Sequence, residues 1–373
     1  MLGSLGRLVE QKSELERCRS PLLVIRHAVT SAFSAAIYRD STLIVPKHRS
    51  VSEEMYLSEP ATLRAIAGAL SRGEPVFVMK GTLERISQFF GVDRAHYIRI
   101  MLSSSGLLVC FGTVGGREVV VYAAGSPIYK ISIARQLIGL AIGRECLGSL
   151  APAVLLKDDG RMMVERLPGS PVRVKALSEV ELQRVILTGM KPLFGMSRRD
   201  RLADGEGDQL LITAILEFIS EHPYSHRIAG ASERLMKWDR RRVAVVPVHG
   251  DYWVNNLLVS GGEVTGVVDW DRARESGCSG FDALTLGFMS YSAWGGVYIS
   301  DLLSDVWRGP EQWRYPFLKK YCRILQEALS LSQEDIEGLA MLLWLSTLWF
   351  KRADTSQEWI DAMYKPIFRV SDG

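Results

Sequence analysis

Between Val243 and Ala273 the chain reads VAVVPVHGDYWVNNLLVSGGEVTGVVDWDRA, three apolar runs separated by one polar loop and one Gly-Gly turn. Short apolar runs bounded by turn residues predict strands. The reading is therefore strand VAVVPV, loop, strand NLLVS, turn SGGE, strand VTGVVD. Upstream, from about Ala95 to Arg166, the runs HYIRIML, LLVCF, EVVVYA, IYKISI and MMVERL also read as strands, with a helical segment ARQLIGLAIGRECLGSL before the last. Gly-Gly and Ala-Gly-Ser-Pro divide consecutive strands there, which suits tight turns and predicts a small antiparallel sheet with one helix. Beyond Pro168 the period becomes helical, around 178–194, 207–221, 311–329, 333–351 and 356–366. Residues 1–95 mix β-like runs (PLLVIRHAV, STLIVP, PVFVMKG) with helical stretches such as EPATLRAIAGALSR. The expected division is an accessory α/β region over 1–95, a sheet-rich unit over 96–166 and a mainly helical unit over 167–373.

Composition changes this picture little. At 373 residues, with 47% hydrophobic and 23% charged residues, the chain is long enough for two or three structural units of a soluble globular protein. The net charge of +3 is spread along the sequence, so nothing in it calls for nucleic acid. Five scattered cysteines without CxxC spacing predict neither a zinc site nor a disulfide framework. The N-terminus lacks the apolar core of a signal peptide, and the longest apolar run, LAMLLWLSTLWF, is too short to cross a bilayer. A reduced, cytoplasmic protein with no membrane partner is expected.

The polar loop carries the chemistry. Asp251 and Asn256 lie five residues apart, and Asp269 ends the strand after the hairpin. A strand, loop and hairpin of this form can bring a carboxylate, an amide and a second carboxylate to one edge. Phosphoryl transfer from a nucleotide needs a carboxylate to accept the proton of the attacking hydroxyl, and oxygen ligands for Mg²⁺. Asp251, Asn256 and Asp269 supply these.

HGDYWVNN and VVDWD, with Asn256 and Asp269 thirteen positions apart, resemble the catalytic loop and metal-binding segment of the aminoglycoside phosphotransferase and choline kinase group. That resemblance implies an α+β, protein-kinase-like bilobal fold, with a small antiparallel sheet in the N-lobe and a helical C-lobe. It further implies ATP or GTP with Mg²⁺ as cofactors and a small hydroxylated acceptor. Asp251 would be the base and His249 a brace for the loop, while Asn256 and Asp269 would hold the metal. Asp271 would touch substrate or back the metal ligands. Asp282, in GFDALTLGF, would tie the following helix to the loop.

A kinase also requires a Gly-containing loop over the phosphates, a strand Lys and a helix Glu. Gly112, Gly115 and Gly116 between LLVCF and EVVVYA are candidates for the loop, with Ser103–Gly106 the alternative if the sheet begins at HYIRIML. Lys130, read within the strand IYKISI, and Glu145, in the helical segment fifteen residues on, resemble the ion pair of the family. MMVERLPGSP, with Glu165 and Leu167, resembles the segment that meets adenine. Downstream aromatic residues (Tyr291, Trp294, Trp307, Trp313, Tyr315, Trp344, Trp349) include candidates for stacking on an acceptor, although most should fill helix interfaces. DRARESGCSGFD mixes acids with Arg272 and Arg274, which does not favour a strongly cationic acceptor. A sugar, aminoglycoside, nucleoside-like or amino-alcohol hydroxyl stays open.

The alternatives are a nucleotide-binding pseudokinase or scaffold, and a protein kinase, against which the HGD form and the missing DFG and APE-like text argue. RHAVTSA, at Arg26 and His27, has a superficial likeness to the RHG of histidine phosphatases but lacks the Gly. Residues 1–95 exceed a minimal kinase and leave an extra lobe, an acceptor wall or a homodimer element open.

Overall fold

The structure is a computed structural model. It describes strand residues 22–25, 42–46, 76–80 and 97–102, then 107–124, 130–158, 160–197, 208–221, 225–307, 313–350 and 362–363. Arg26, His27, the Ser103–Gly106 segment and nearly all of the helix expected over 356–366 lie outside these residues. The chain separates into two compact units, Met1–Leu140 with Pro152–Arg166, and Ala141–Ala151 with Leu167–Gly373.

The first unit holds two antiparallel sheets. β1 (Leu22–Ile25), β2 (Thr42–Pro46) and β3 (Val76–Lys80) pair in the order β1-β3-β2. The second sheet contains β4 (Tyr97–Leu102), β5 (Leu107–Val114), β6 (Arg117–Ala124), β7 (Val154–Lys157) and β8 (Arg161–Glu165), in the order β4-β5-β6-β8-β7. The β5–β6 hairpin closes through Gly115 and Gly116, at φ 55° and 77°. Two successive positive φ values make the two-residue turn whose twist matches the flanking strands, and glycine adopts them without steric cost. Val119, Val121, Met162 and Val164 are buried along β6 and β8.

Two sequence expectations are corrected here. The expected strand IYKISI is helical from Lys130 on, its first two residues lying outside the described ones: Lys130 opens helix α1 (Lys130–Leu147) and is exposed. Its β-branched residues favour strand, but the run continues without a break into ARQLIGLAIG, and helical propagation overrides local preference. Gly112 is not in a loop either. It is a buried residue of β5, paired with Val119 and Tyr97.

The second unit is mainly helical: α2 (Glu179–Ser197), α3 (Gln209–Glu221), α4 (Ser225–Lys237), α5 (Phe281–Gly295), α6 (Ile299–Trp307), α7 (Pro316–Leu329) and α8 (Gln333–Phe350). Between them run β9 (Ser170–Pro171), β10 (Val245–Val248), β11 (Leu257–Ser260), β12 (Glu263–Val267) and β13 (Arg274–Cys278). They form the sheets β12-β11-β9 and β10-β13.

The apolar run at the end of the chain is a core helix. Every residue from Leu339 to Leu348 of α8 is buried, and each large apolar side chain so placed stabilises the fold by about 1.5–3 kcal/mol. Among the described residues no helix is long and apolar enough to cross a membrane. Ser332 starts α8 with a reciprocal cap: its N–H and hydroxyl donate to the Asp335 carboxylate at 2.9 and 2.6 Å, and Asp335 N–H returns to Ser332 Oγ at 3.1 Å. The other Asp335 oxygen accepts Trp238 Nε1–H at 3.1 Å, which fastens the end of α4 to the start of α8.

Candidate active site

β10 and β13 set the floor of the site. They pair antiparallel, Val245 with Cys278 and Val246 with Gly277, with an irregularity before Val248 meets Arg274. The chain then leaves β10 as the loop 249–253, turns through Val254–Asn256 and enters the β11–β12 hairpin. Gly261 and Gly262, at φ 60° and 84°, close that hairpin, and Leu257 pairs with Val267. Its ladder continues one step further, where Val268 N–H donates to Asn256 O at 2.9 Å. Asn256 and the residue before Asp269 therefore face each other at the open end of one hairpin.

His249 binds this end to the loop. It is fully buried, Asp251 N–H donates to its Nδ1 at 3.3 Å, and its Nε2 lies 3.0 Å from Val268 O. With Nδ1 accepting, Nε2 carries the hydrogen and donates to the Val268 carbonyl, which defines the neutral tautomer. Burial pushes the imidazole down to about 3, with the hydrogen bond to Val268 opposing. Trp270 covers the ring at 4.5 Å, and its own indole rests on Gly143 of α1, where a Cβ would come within 2.7 Å. His249 is thus a neutral strut between the backbone of Asp251 and the residue preceding Asp269.

Asp282, in the first turn of α5, anchors the loop from beneath. Its two oxygens accept His249 N–H at 2.6 Å and Gly250 N–H at 2.9 Å. Burial raises its carboxyl to about 6, against the lowering effect of these two donors. Gly250 has φ 79°, and a Cβ there would run into the Arg272 carbonyl, so only glycine fits.

Asp251 is half-buried, with a carboxylate oxygen 3.4 Å from Arg272 Nη1. The Arg272 guanidinium in turn lies 4.3 Å over the ring of Phe350, at the end of α8. Asn256 donates Nδ2–H to Asp251 O at 2.8 Å, which leaves its amide oxygen as the end that can meet a cation. Asp269 is exposed and holds φ 68°. This left-handed backbone costs a non-glycine residue about 1–2 kcal/mol, and such strain collects at functional sites. Asp271 follows in the turn closed by Ala273 N–H to Trp270 O at 3.2 Å.

The hydrogen bonds therefore gather His249, Asp251, Asn256 and Asp282, with Asp269 one residue beyond the same bracket. One amide oxygen and one carboxylate suit Mg²⁺, which keeps several waters and takes few protein ligands. Among the described residues no group of three or more His, Cys, Asp or Glu side chains is placed to hold a metal. The expected Lys130–Glu145 pair does not form on a strand and a facing helix. Both residues belong to α1, fifteen positions and about 22 Å of helical rise apart. Nor does β6, the third strand of its sheet, carry a lysine: it reads REVVVYAA. Glu165 ends β8 exposed, and Leu167 is buried where the second unit resumes.

Residues 151–276 match the phosphotransferase enzyme family. The match contains both HGDYWVNN and VVDWD. The chain is phosphotransferase-like, with a protein-kinase-like fold. Among solved structures of this fold is a thermostable mutant of aminoglycoside phosphotransferase APH(4)-Ia in a ternary complex with ADP and hygromycin B, at TM-score 0.54 and 16% identity, covering 79% of this chain and all of that one. Macrolide 2'-phosphotransferase type I is similar at TM-score 0.52 and 13% identity, covering 76% of this chain and 95% of that one. No curated protein matches the chain.

The expected acceptor aromatics mostly fill interfaces. Tyr291 packs on Trp294, Tyr315 and Phe317, and Trp344 is buried with its Nε1–H on Met363 O. Trp349 lies edge-on to Phe350, the aromatic ring that stacks on Arg272. Sequence reasoning did not single out Phe350. Its signal was hidden in a run that reads as core throughout.

Proposed function

We propose that the chain is a small-molecule kinase, moving the γ-phosphoryl group of ATP or GTP to a hydroxyl of a small acceptor in a Mg²⁺-dependent reaction. The observation that carries this reading is the His249 strut, which ties the backbone of the candidate base to the hairpin end bearing Asn256 and Asp269. Asn256 and Asp269 would hold the ion, and bound there it supplies positive charge to the phosphate oxygens. Asp251 accepts the proton of the acceptor hydroxyl as the new O–P bond forms and the bond to the leaving nucleotide oxygen breaks. Arg272 holds the Asp251 carboxylate in place. His249 stays neutral and passes no proton, while Asp282 fixes the loop that carries the base.

Solved structures of this fold include an aminoglycoside phosphotransferase in complex with hygromycin B and a macrolide 2'-phosphotransferase, so the fold leaves the acceptor class open and local chemistry has to set it. A guanidinium beside the base and an aromatic ring at the end of α8 favour a neutral hydroxylated acceptor over a polycation.

A second reading, a nucleotide-binding pseudokinase, is favoured by one observation: β6 offers no lysine where kinases place the residue that grips the α/β-phosphates. Nucleotide binding and product release, measured across a panel of hydroxylated metabolites, separate the two. A kinase gains turnover with one acceptor, and Asp269→Ala removes the Mg²⁺ dependence of its nucleotide affinity. Mg-independent binding with no transfer to any acceptor would establish the pseudokinase instead.

A further inference from the structure

Asp208 stands immediately before α3 and far from the catalytic loop in sequence, yet it is 1% exposed. Its backbone takes φ 59°, a left-handed value for a residue with a side chain. Its N–H donates to Ser276 O at 2.8 Å. Its carboxylate accepts Arg274 Nε–H at 2.7 Å and Cys278 N–H at 2.8 Å, and Arg274 Nη2 lies 2.6 Å from the same oxygen as Nε. One residue thereby holds the beginning, middle and end of β13.

Arg274 passes this grip toward the base. Its Nη1 donates to Arg272 O at 3.2 Å, and its residue pairs with Val248, the last of β10. The guanidinium also lies against the loop, since a Cβ on Gly250 would fall 2.7 Å from Nη1. Arg272 then meets Asp251 through its own side chain. A chain of contacts runs from Asp208 through Arg274 to the backbone of Arg272 and Gly250, the neighbours of the base.

An ion pair out of water is a weak stabiliser, because desolvation offsets much of its attraction. An apolar pair of similar volume would serve the core as well. It would not direct a donor at the Arg272 carbonyl. We propose that Asp208 is a positioning residue for the Asp251 base, acting through Arg274 to fix Arg272 and Gly250. The role of the base itself rests on the phosphotransfer reading, whereas the rigidity of the loop does not.

The test compares the full chain with Asp208→Asn and with the double variant Asp208→Leu/Arg274→Met, which leaves no buried charge behind. Hydrogen exchange of residues 245–256 is read beside thermal midpoint, kcat and nucleotide KM. In both variants loop exchange should rise about tenfold, and kcat should fall about tenfold with nucleotide KM within about twofold. The double variant should recover part of the midpoint lost in Asp208→Asn, because no uncompensated guanidinium remains although the Cys278 N–H and the Arg272 carbonyl lose their partners, while exchange stays fast and kcat low, an outcome that a merely structural role does not give. Unchanged loop exchange in the double variant, or exchange and kcat that return with the midpoint, overturns the proposal. Faster loop exchange in a protein whose wild type phosphorylates no acceptor overturns the phosphotransfer reading and supports the positioning of the loop.

Discussion

Asp282→Asn isolates the anchor beneath the 249–253 loop that carries the proposed base. The wild-type carboxylate accepts two backbone N–H groups, from His249 and Gly250. An Asn of the same shape has one acceptor oxygen, and its NH₂ must face the other donor. One buried N–H is left unsatisfied, at a cost of about 1–3 kcal/mol, so a loss of about 2 kcal/mol is expected at pH 7.5. The loss should also depend on pH. The Asp282 carboxyl is raised from 3.8 to about 6 by burial, so the folded state binds a proton more readily than the unfolded chain between those values. Its contribution is fully present below 3.8 and is lost as pH rises through about 6. The wild type therefore gains on the variant during acidification, by about 1 kcal/mol between pH 7.5 and 5. All nine tryptophans lie at position 238 or beyond, so urea unfolding followed by their fluorescence reports the second unit alone. Turnover should fall about 10²-fold, the usual cost of displacing a reacting group by an ångström. A stability deficit that shrinks toward pH 5, or an unchanged kcat, would refute this account of the anchor.

Three further outcomes follow from the geometry. Gly250→Ala should cost about 3 kcal/mol or more, since it combines a positive φ with a collision against the Arg272 carbonyl; tryptophan fluorescence during urea unfolding checks it. Lys130→Ala should leave nucleotide affinity within about twofold, because Lys130 opens α1 and not a strand of the sheet; titration with a fluorescent nucleotide reads this, and a tenfold loss would return Lys130 to the phosphate site. Asp335→Asn should cost about 1 kcal/mol through the cap of α8. Hydrogen bonds from Ser332 and Trp238, opposing the effect of burial, hold the Asp335 carboxyl below 3.8. Its contribution is present above that value and is lost as pH falls through the folded value, so the variant's deficit should shrink in acid.

The sequence makes the HGD loop and its hairpin legible because their information is local. His249, Asp251 and Asn256 stand in one short polar stretch between apolar strands, and SGGE marks the turn that brings Asp269 back. Long amphipathic helices such as α2, α3 and α7 are legible for the same reason, and α8 through its unbroken apolar run. Three features resist such reading. Lys130 falls in a β-branched run that tertiary context makes helical. α4, SHRIAGASERLMK, reads as too polar, although Ile228, Ala231 and Leu235 supply its buried stripe at helical spacing. Asp208 acts across 66 residues on Arg274, and neither periodicity nor a motif connects two such positions.

The most direct test is single-turnover transfer from γ-labelled ATP and Mg²⁺ to a pool of hydroxylated metabolites, with wild type and Asp251→Asn compared at matched nucleotide occupancy. The account predicts that wild type labels an acceptor, while the variant binds nucleotide equally and transfers label about 10³-fold more slowly. Transfer by Asp251→Asn at the wild-type rate, or no labelled acceptor from wild type with nucleotide fully bound, would contradict it.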